Sequence, residues 1–354
     1  MTSCGDLRVL FRAPAGPRRG FGHLVRCRSL ALALGVRPLV ALRGTLPVEE
    51  TALALGCDVV RGGATQLLKK LSPDVLVVDD PIAADAREWI RAGRRAGCLV
   101  VSLHDLGLGC HEADLVIDGS LIRNAQASRG ETLSGPRFAV LDPSLVDDVR
   151  SRLAAACPKS ERDPDAVLVA LGGGPRAELA LDIAESIVAA HPRARVRVAG
   201  GFSAPPVGGP YSDVGAAFRR PDVSEGAPDD GAPRIAWVGP VRNLHAEMAR
   251  ASVVVVGGGV SLYEACAHGV AAVGVPVVPA QRPTVAAFVA RGAARGVTRG
   301  PVSAQAVAAE CAVLLSDAAM RRHLARMGAR LIDGRGAFRA AAAVSRLARA
   351  GGTR

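Results

Sequence analysis

The segment Ala13-Pro-Ala-Gly-Pro-Arg-Arg-Gly-Phe-Gly-His23 joins an apolar run, Arg8-Val-Leu-Phe-Arg12, to an Ala/Leu-rich stretch at 23–34. The pattern predicts a strand, a glycine loop and a helix whose first turn carries His23. A histidine there feels the positive end of the helix dipole, which disfavours imidazolium and leaves a base for deprotonating water or a hydroxyl. Arg26 follows three residues later on the same face, where it can meet a phosphate or orient a carboxylate. Local spacing alone leaves this reading level with another, in which the histidine caps the helix and the glycines only make a tight turn.

A second chemical candidate is Val253-Val-Val-Val-Gly-Gly-Gly-Val-Ser-Leu-Tyr-Glu264, a buried strand, a glycine turn and a helix start. Free amides and the dipole make such a helix start a phosphate site. Glu264, about a turn inside, is a carboxylate that can accept both hydroxyls of a ribose. The turn at Gly172, Gly173 and Gly174 can lend further amides to the same diphosphate. The alternative is a turn needed only for close packing, with Glu264 a solvated helix residue. The loop at 13–23 lacks the full G-x-G-x-x-G fingerprint and neither later turn ends in G-K-[ST], so NAD-binding, ATPase and kinase readings gain no support.

Asp79 and Asp80 follow the buried run Asp74-Val-Leu-Val-Val78, where ligands collect, although capping ahead of Pro81 explains them equally well. His104, Asp105, Cys110 and His111 match no standard zinc spacing and read as a loop. His191, His245, His268 and His323 read as helix or surface residues. The eight cysteines are dispersed without a C-x-x-C pair, which signals neither a zinc site nor a disulfide framework.

The elements that must position these residues are short β-branched runs alternating with longer Ala/Leu-rich stretches, the signature of parallel α/β sheets. The pattern runs from strand 1 to about residue 118, leaves 123–137 as a polar loop, and restarts at Val167. The Pro/Gly/Asp-rich stretch 202–233 reads as a long surface excursion, and the tail from Ala304 as helix interrupted at Asp333-Gly-Arg-Gly336. The expected fold is α/β, with two Rossmann-like domains at 1–145 and 160–354 whose parallel sheets face one another across a cleft. Ligands would then bind beyond the carboxyl ends of the strands.

The chain has 354 residues, 49% hydrophobic and 22% charged, so it can fill two cores. Its formal charge is +11, but of 44 basic residues only Lys69, Lys70 and Lys159 are lysines, and the arginines are scattered. With 3% aromatics and no basic run, nucleic-acid binding is not favoured, while anionic small molecules would be attracted. The N-terminus lacks a signal-peptide pattern and no apolar run reaches the roughly 18 residues of a membrane span. A cytoplasmic protein without stable membrane insertion is therefore expected.

Several of these stretches resemble a known family. Phe11-Arg12, Gly20-Phe-Gly-His-Leu-Val-Arg-Cys27, Leu30 and Ala31 resemble the opening of UDP-2,4-diacetamido-2,4,6-trideoxy-β-L-altropyranose hydrolase. This is the nucleotide-sugar hydrolase of pseudaminic acid biosynthesis, related to spore-coat polysaccharide proteins and to MurG-like GT-B glycosyltransferases. The likeness continues through Asp79, Ala113-Asp-Leu-Val-Ile117, Leu171-Gly-Gly173, Gly258-Gly259, Ser261, Tyr263-Glu264, Gln281 and Asp333-Gly-Arg-Gly-Ala337 with Arg339.

The resemblance implies a GT-B architecture, a UDP-sugar substrate, and cleavage between the anomeric carbon and the UDP oxygen with no metal or other cofactor. By matched position it implies that His23 activates water, with Asp79 positioning the sugar or the histidine. Arg12, Gly22 and Arg26 would belong to the substrate site. Glu264 would hold the ribose, and amides around Gly172, Gly173, Gly258 and Gly259 would stabilise the leaving diphosphate beside Ser261. Gln281 would face the substrate. The chain departs from the family at Gly174-Pro175, where Asp is expected, and at Asp80-Pro81, where an aromatic is common; both changes concern the sugar. An alternative is a GT-B glycosyltransferase that moves the sugar to a polysaccharide or lipid acceptor, for which Pro17-Arg-Arg-Gly-Phe21 is the candidate apolar–basic patch. A third is a non-catalytic nucleotide-sugar binder.

Overall fold

The computed structural model describes residues 7–16, 20–104, 112–122, 129–147, 163–172, 176–200, 234–238 and 244–351. The chain divides into two compact units, one of Met1–Ala155 with Arg330–Arg354 and one of Ala156–Ala329.

The first unit is built on seven parallel strands: β1 (Val9–Pro14), β2 (Leu39–Arg43), β3 (Asp58–Val60), β4 (Val75–Val78), β5 (Leu99–His104), β6 (Leu115–Asp118) and β7 (Glu131–Ser134). Their order across the sheet is β3-β2-β1-β4-β5-β6-β7. Helices α1 (Gly22–Leu34), α2 (Leu46–Ala54), α3 (Ala64–Leu71) and α4 (Ala83–Arg95) connect the strands. The central strands are apolar on both faces because helices cover both. Phe11, Ala13, Val77 and Val101 pack with Leu24, Cys27 and Leu30 of α1. Leu10, Leu76, Val78 and Val100 pack on the other face, with Leu67 and Leu68 of α3 and with Trp89 and Ile90 of α4.

The second unit repeats the design with six parallel strands: β8 (Ala166–Ala170), β9 (Arg195–Ala199), β10 (Ile235–Val238), β11 (Val253–Gly257), β12 (Ala271–Val275) and β13 (Arg295–Gly296). Their order is β10-β9-β8-β11-β12-β13. Its helices are α5 (Arg176–Ala190), α6 (Leu244–Arg250), α7 (Val260–Ala267), α8 (Arg282–Ala290), α9 (Ala304–Ser316) and α10 (Ala318–Leu331). One face is filled by Val167, Val169, Val253 and Val255 against Ile183 and Ile187 of α5 and Val307, Cys311 and Leu314 of α9. Beyond the other face, Tyr263 of α7 meets Phe288 of α8 edge-on, with ring centroids 4.9 Å apart.

Both sheets share the doubly-wound order in which the chain first works outward on one side of its first strand and then on the other. The reversal falls between β1 and β4 in the first unit and between β8 and β11 in the second. Connections leave in opposite directions there and open a crevice at the carboxyl ends of the strands.

Two expectations are corrected. The polar stretch 123–137 contains a strand, β7, paired to β6 in register from Leu115↔Glu131 to Asp118↔Ser134. The expected second domain, 160–354, loses its end: α11 (Gly336–Gly351) packs on the first unit, where Ala337, Ala340, Ala341 and Val344 join the α1 core. A Cβ at Gly336 would lie 2.0 Å from the Ala139 carbonyl oxygen, so only glycine allows this helix start to approach so closely. Asp333 accepts from the backbone N–H of Arg335 at 3.0 Å and from Arg339 Nη1 at 2.8 Å, while that nitrogen also donates to the Arg137 carbonyl. Arg346 Nη2 donates to both carboxylate oxygens of Glu131 at 2.7 Å, tying the tail to β7. The expected surface excursion at 202–233 lies outside the described residues.

Candidate functional site

In the first unit, two chain segments meet at the switch point. The loop after β1 is clasped by two backbone hydrogen bonds between Gly16 and Gly20, of 3.1 and 2.7 Å, and α1 begins two residues later at Gly22, an exposed position. His23 is the second helical residue and Arg26 lies one turn on. Asp79 follows β4 directly, its N–H donating to the Arg12 carbonyl at 2.9 Å.

These three side chains form one group. His23 Nδ1 lies 2.7 Å from Asp79 Oδ1. Arg26 donates to the same carboxylate through Nε (2.6 Å to Oδ2) and Nη2 (2.6 Å to Oδ1), a fork that fixes the carboxylate plane. Arg26 Nη2 also approaches His23 Nδ1 at 3.1 Å. Both being donors when Nδ1 carries its proton, the shorter contact assigns the Nδ1 proton to Asp79. Nε2 is then the basic nitrogen, on a side chain 20% exposed. Asp79 is 1% exposed. Burial alone would raise its pKa, but the charges of Arg26 and His23 outweigh this and hold it well below the ordinary carboxylate value.

The opposite face of the same sheet edge carries a polar row, of which the sequence had singled out Arg12, Asp80 and His104 only separately. Arg12, expected in the substrate site, is buried there beneath α4. Its guanidinium lies 5.1 Å from the Trp89 ring centroid and 3.5 Å from Asp80. Asp80 is also reached by Arg43 Nη2 at 3.3 Å and accepts from the Ile82 N–H at 3.0 Å; Arg43 pairs in addition with Asp85. His104 is not a loop residue but the buried last residue of β5, its Nε2 3.1 Å from Ser102 Oγ and its register partner Asp118. Asp105, Cys110 and His111 lie outside the described residues, as do residues 17–19.

In the second unit the expected residues again gather at the switch point. Gly172 follows β8 at φ +90°, and the Nη1 of Arg176, the first residue of α5, lies 3.4 Å from where its Cβ would be. Burial lowers the Arg176 pKa, which marks a half-buried cation beside this turn. Sequence reasoning assigned it no role, although its position just after a glycine turn was a usable signal. Gly173 and Gly174 lie outside the described residues.

Gly258 and Gly259 link β11 to α7. The Gly258 N–H donates to the Val275 carbonyl at 3.0 Å, so it serves the sheet and not a diphosphate. A Cβ on Gly258 would lie 2.6 Å from Val285 Cγ2 and 3.0 Å from Gln281 Cβ, so the residue provides space. Gln281 braces the turn: its Oε1 accepts from the Val277 N–H at 3.1 Å, and its Nε2 lies 3.3 Å from the Cβ position of Gly259. Ser261, partly exposed, sits in the first turn of α7. Glu264 is no solvated residue; it is 5% exposed. His245 and His268, read as helix or surface residues, are buried beside it at 7% and 5% exposure. His191 is partly exposed and pairs with Asp165 at 3.0 Å.

Among the described residues no group of three or more His, Cys, Asp or Glu side chains is placed to hold a metal ion, and no helix is long and apolar enough to cross a membrane.

No protein-family model and no curated protein sequence matches the chain. Solved structures do match along nearly its whole length. Acinetobacter baumannii MurG is similar at 14% identity over 96% of this chain and 99% of that one, with a TM-score of 0.60. Spinosyn rhamnosyltransferase SpnG complexed with thymidine diphosphate is similar at 16% identity over 96% and 100%, with a TM-score of 0.58. Staphylococcus aureus MnaA, in a co-structure with UDP, is similar at 11% identity over 94% of each chain, with a TM-score of 0.57. With the two parallel doubly-wound sheets, these likenesses define the fold as GT-B.

Proposed function

We propose that the chain is a UDP-sugar hydrolase, releasing UDP and the free sugar from a UDP-activated 2,4-diacetamido-2,4,6-trideoxy sugar. The observation that carries the reading is the His23–Asp79–Arg26 group at the switch point of the first sheet. An ionised, buried carboxylate on Nδ1 leaves Nε2 to take a proton, the arrangement a water-activating base needs. In the reaction a water oxygen attacks the anomeric carbon and its proton passes to His23 Nε2. The bond between that carbon and the β-phosphate oxygen breaks, its electron pair leaving with UDP. Asp79 stabilises the imidazolium that forms, and Arg26 holds Asp79 in place.

The second unit takes the nucleotide in this reading. Glu264 accepts from the ribose hydroxyls, the amides of Gly259, which caps α7, and of Ser261 in its first turn face the diphosphate, and Arg176 supplies countercharge. Two structural neighbours with nucleoside diphosphates, thymidine diphosphate and UDP, support a nucleotide role for this fold. Arg12 acts through Asp80 as part of the scaffold, and Gln281 through the glycine turn it braces.

The test is UDP release from candidate UDP-sugars without an acceptor, followed by phosphorus NMR. Release that persists in EDTA and disappears in His23→Ala, with UDP affinity retained, is the expected result. Release only after a polysaccharide or lipid acceptor is added overturns hydrolysis in favour of transfer. Full activity in His23→Ala removes the catalytic assignment.

A further inference from the structure

Three buried polar atoms without a hydrogen-bond partner belong to one cluster on the α4 face of the first sheet: Arg12 Nε, Arg43 Nε and Asp80 Oδ2. Arg12 lies on β1, Arg43 ends β2, and Asp80 stands two residues past β4, so the cluster sits at the carboxyl ends of the strands beside the switch point. Asp79 and Asp80 are neighbours in the chain that serve opposite faces, Asp79 the His23 group and Asp80 this one. They are held differently. Arg26 closes on Asp79 with two hydrogen bonds of 2.6 Å, whereas Arg43 Nη2 reaches Asp80 Oδ1 at 3.3 Å and Arg12 Nη2 stands 3.5 Å from Oδ2. Oδ1 also accepts from the Ile82 N–H at 3.0 Å; Oδ2 has a cation beside it but accepts no hydrogen bond.

A buried donor or acceptor left unmade is costly, and several in one cluster point to a shared partner. Arg12 is the scaffold member of the three, its guanidinium packed over the Trp89 ring. The other two atoms define the partner: it accepts from Arg43 Nε–H and donates to Asp80 Oδ2. Arg12 and Arg43 are balanced by Asp80 and by Asp85, which pairs with Arg43, so a neutral group fits better than a phosphate or an ammonium. The charge of Glu88, which Arg12 also feels, comes from an exposed side chain and is screened. A hydroxyl or an acylamino group has the required donor and acceptor. Solvent reaches the cluster at Arg43 and Asp85, whose side chains are 31% and 33% exposed, with Asp80 enclosed behind them.

We infer that Arg43 and Asp80 form a subsite for a neutral hydroxyl or acylamino substituent of the sugar, with Arg43 Nε donating to it, Asp80 Oδ2 accepting from it, and Arg12 holding Asp80 in place. The inference rests on the proposed UDP-sugar substrate and names residues that read its sugar. Its specific consequence is that Arg43 governs discrimination between a sugar carrying that substituent and its deoxy counterpart, and not nucleotide affinity.

Arg43→Lys isolates the donor, because its ammonium keeps a cation between Asp80 and Asp85 while a methylene replaces Nε–H. Titration calorimetry on the full chain, in a His23→Ala background that prevents turnover, gives Kd for UDP, UDP-glucose, UDP-N-acetylglucosamine and the 2-, 3- and 4-deoxy forms of UDP-glucose. In the His23→Ala parent, loss of the substituent that the subsite reads is expected to weaken binding about a hundred-fold, from two hydrogen bonds to charged groups. Arg43→Lys lowers that penalty about tenfold, leaves the UDP Kd unchanged and keeps the melting temperature. Tighter binding of UDP-N-acetylglucosamine than of UDP-glucose identifies the substituent as acylamino, and the reverse as hydroxyl. A penalty that survives Arg43→Lys in full, or a Lys variant that weakens UDP as well, overturns the subsite and leaves the unpartnered atoms to the scaffold. UDP-sugars that bind without any deoxy penalty in the parent overturn it too, with the UDP-sugar reading still standing. No binding of UDP or of any UDP-sugar removes that reading, and the subsite with it.

Discussion

Asp79 keeps its charge inside the protein because a forked guanidinium and an imidazole N–H face it at 2.6 and 2.7 Å. In Asp79→Asn the amide cannot hold the same histidine tautomer. The expected result is a fall in turnover of about 10²–10⁴-fold, with UDP affinity unchanged, read from steady-state release and calorimetry. The variant is also less stable at neutral pH, because the buried Arg26 fork loses the carboxylate charge it faces, a loss of about 1.5–3 kcal/mol. The acid limb follows from the direction of the Asp79 shift. A folded pKa below the unfolded value of 3.8 means that the unfolded chain binds the proton first. The Asp79 contribution is thus fully present above about pH 4 and lost as pH falls below it. Denaturant midpoints taken from pH 7 to pH 3 should fall less steeply for Asp79→Asn than for wild type.

At the scale of elements, the switch points of both sheets put loops where chemistry needs them, and glycine sets how closely those loops pack. Gly257 and Gly258 are adjacent, yet their surroundings differ: a Cβ on Gly257 meets nothing nearer than 3.6 Å, while one on Gly258 meets Val285 Cγ2 at 2.6 Å and the Gln281 carbonyl oxygen at 3.3 Å. Gly258→Ala is expected to cost about 1–3 kcal/mol and lower the melting temperature; Gly257→Ala is expected to be near neutral. Equal melting temperatures for the two variants would contradict the packing described for this turn. The buried central strands were legible as apolar runs. The strand β7, Glu-Thr-Leu-Ser, was not, because an edge strand alternates between half-buried and exposed positions and its polar residues look like a loop. The three-residue β3 and two-residue β13 are too short to carry a pattern.

For the molecule as a whole, the tail is the unexpected feature. Residues after 330 return to the first unit, and α11 supplies alanines and Val344 to the α1 core. A chain ending at Leu331 leaves that core open. In hydrogen exchange, strands β1 to β6 are expected to lose protection while β8, β11 and β12 keep theirs; a uniform loss, or none, would contradict the division into units. The Asp333-Gly-Arg-Gly stretch, one of the sharpest points of the family resemblance, thus acts as a clasp through Arg339 and Arg137.

Periodicity and turn chemistry are local properties, so the α/β class, the doubled pattern and the segments that carry His23, Asp79, Glu264 and the glycines follow from the order of residues alone. Pairings across long separations are not local. That His23 and Asp79 share a hydrogen bond across 56 residues was decided only when β1 and β4 became neighbours. Tertiary structure likewise withdrew Arg12 into an ion pair with Asp80 and enclosed His245 and His268, because burial is set by what covers a helix and not by the helix itself.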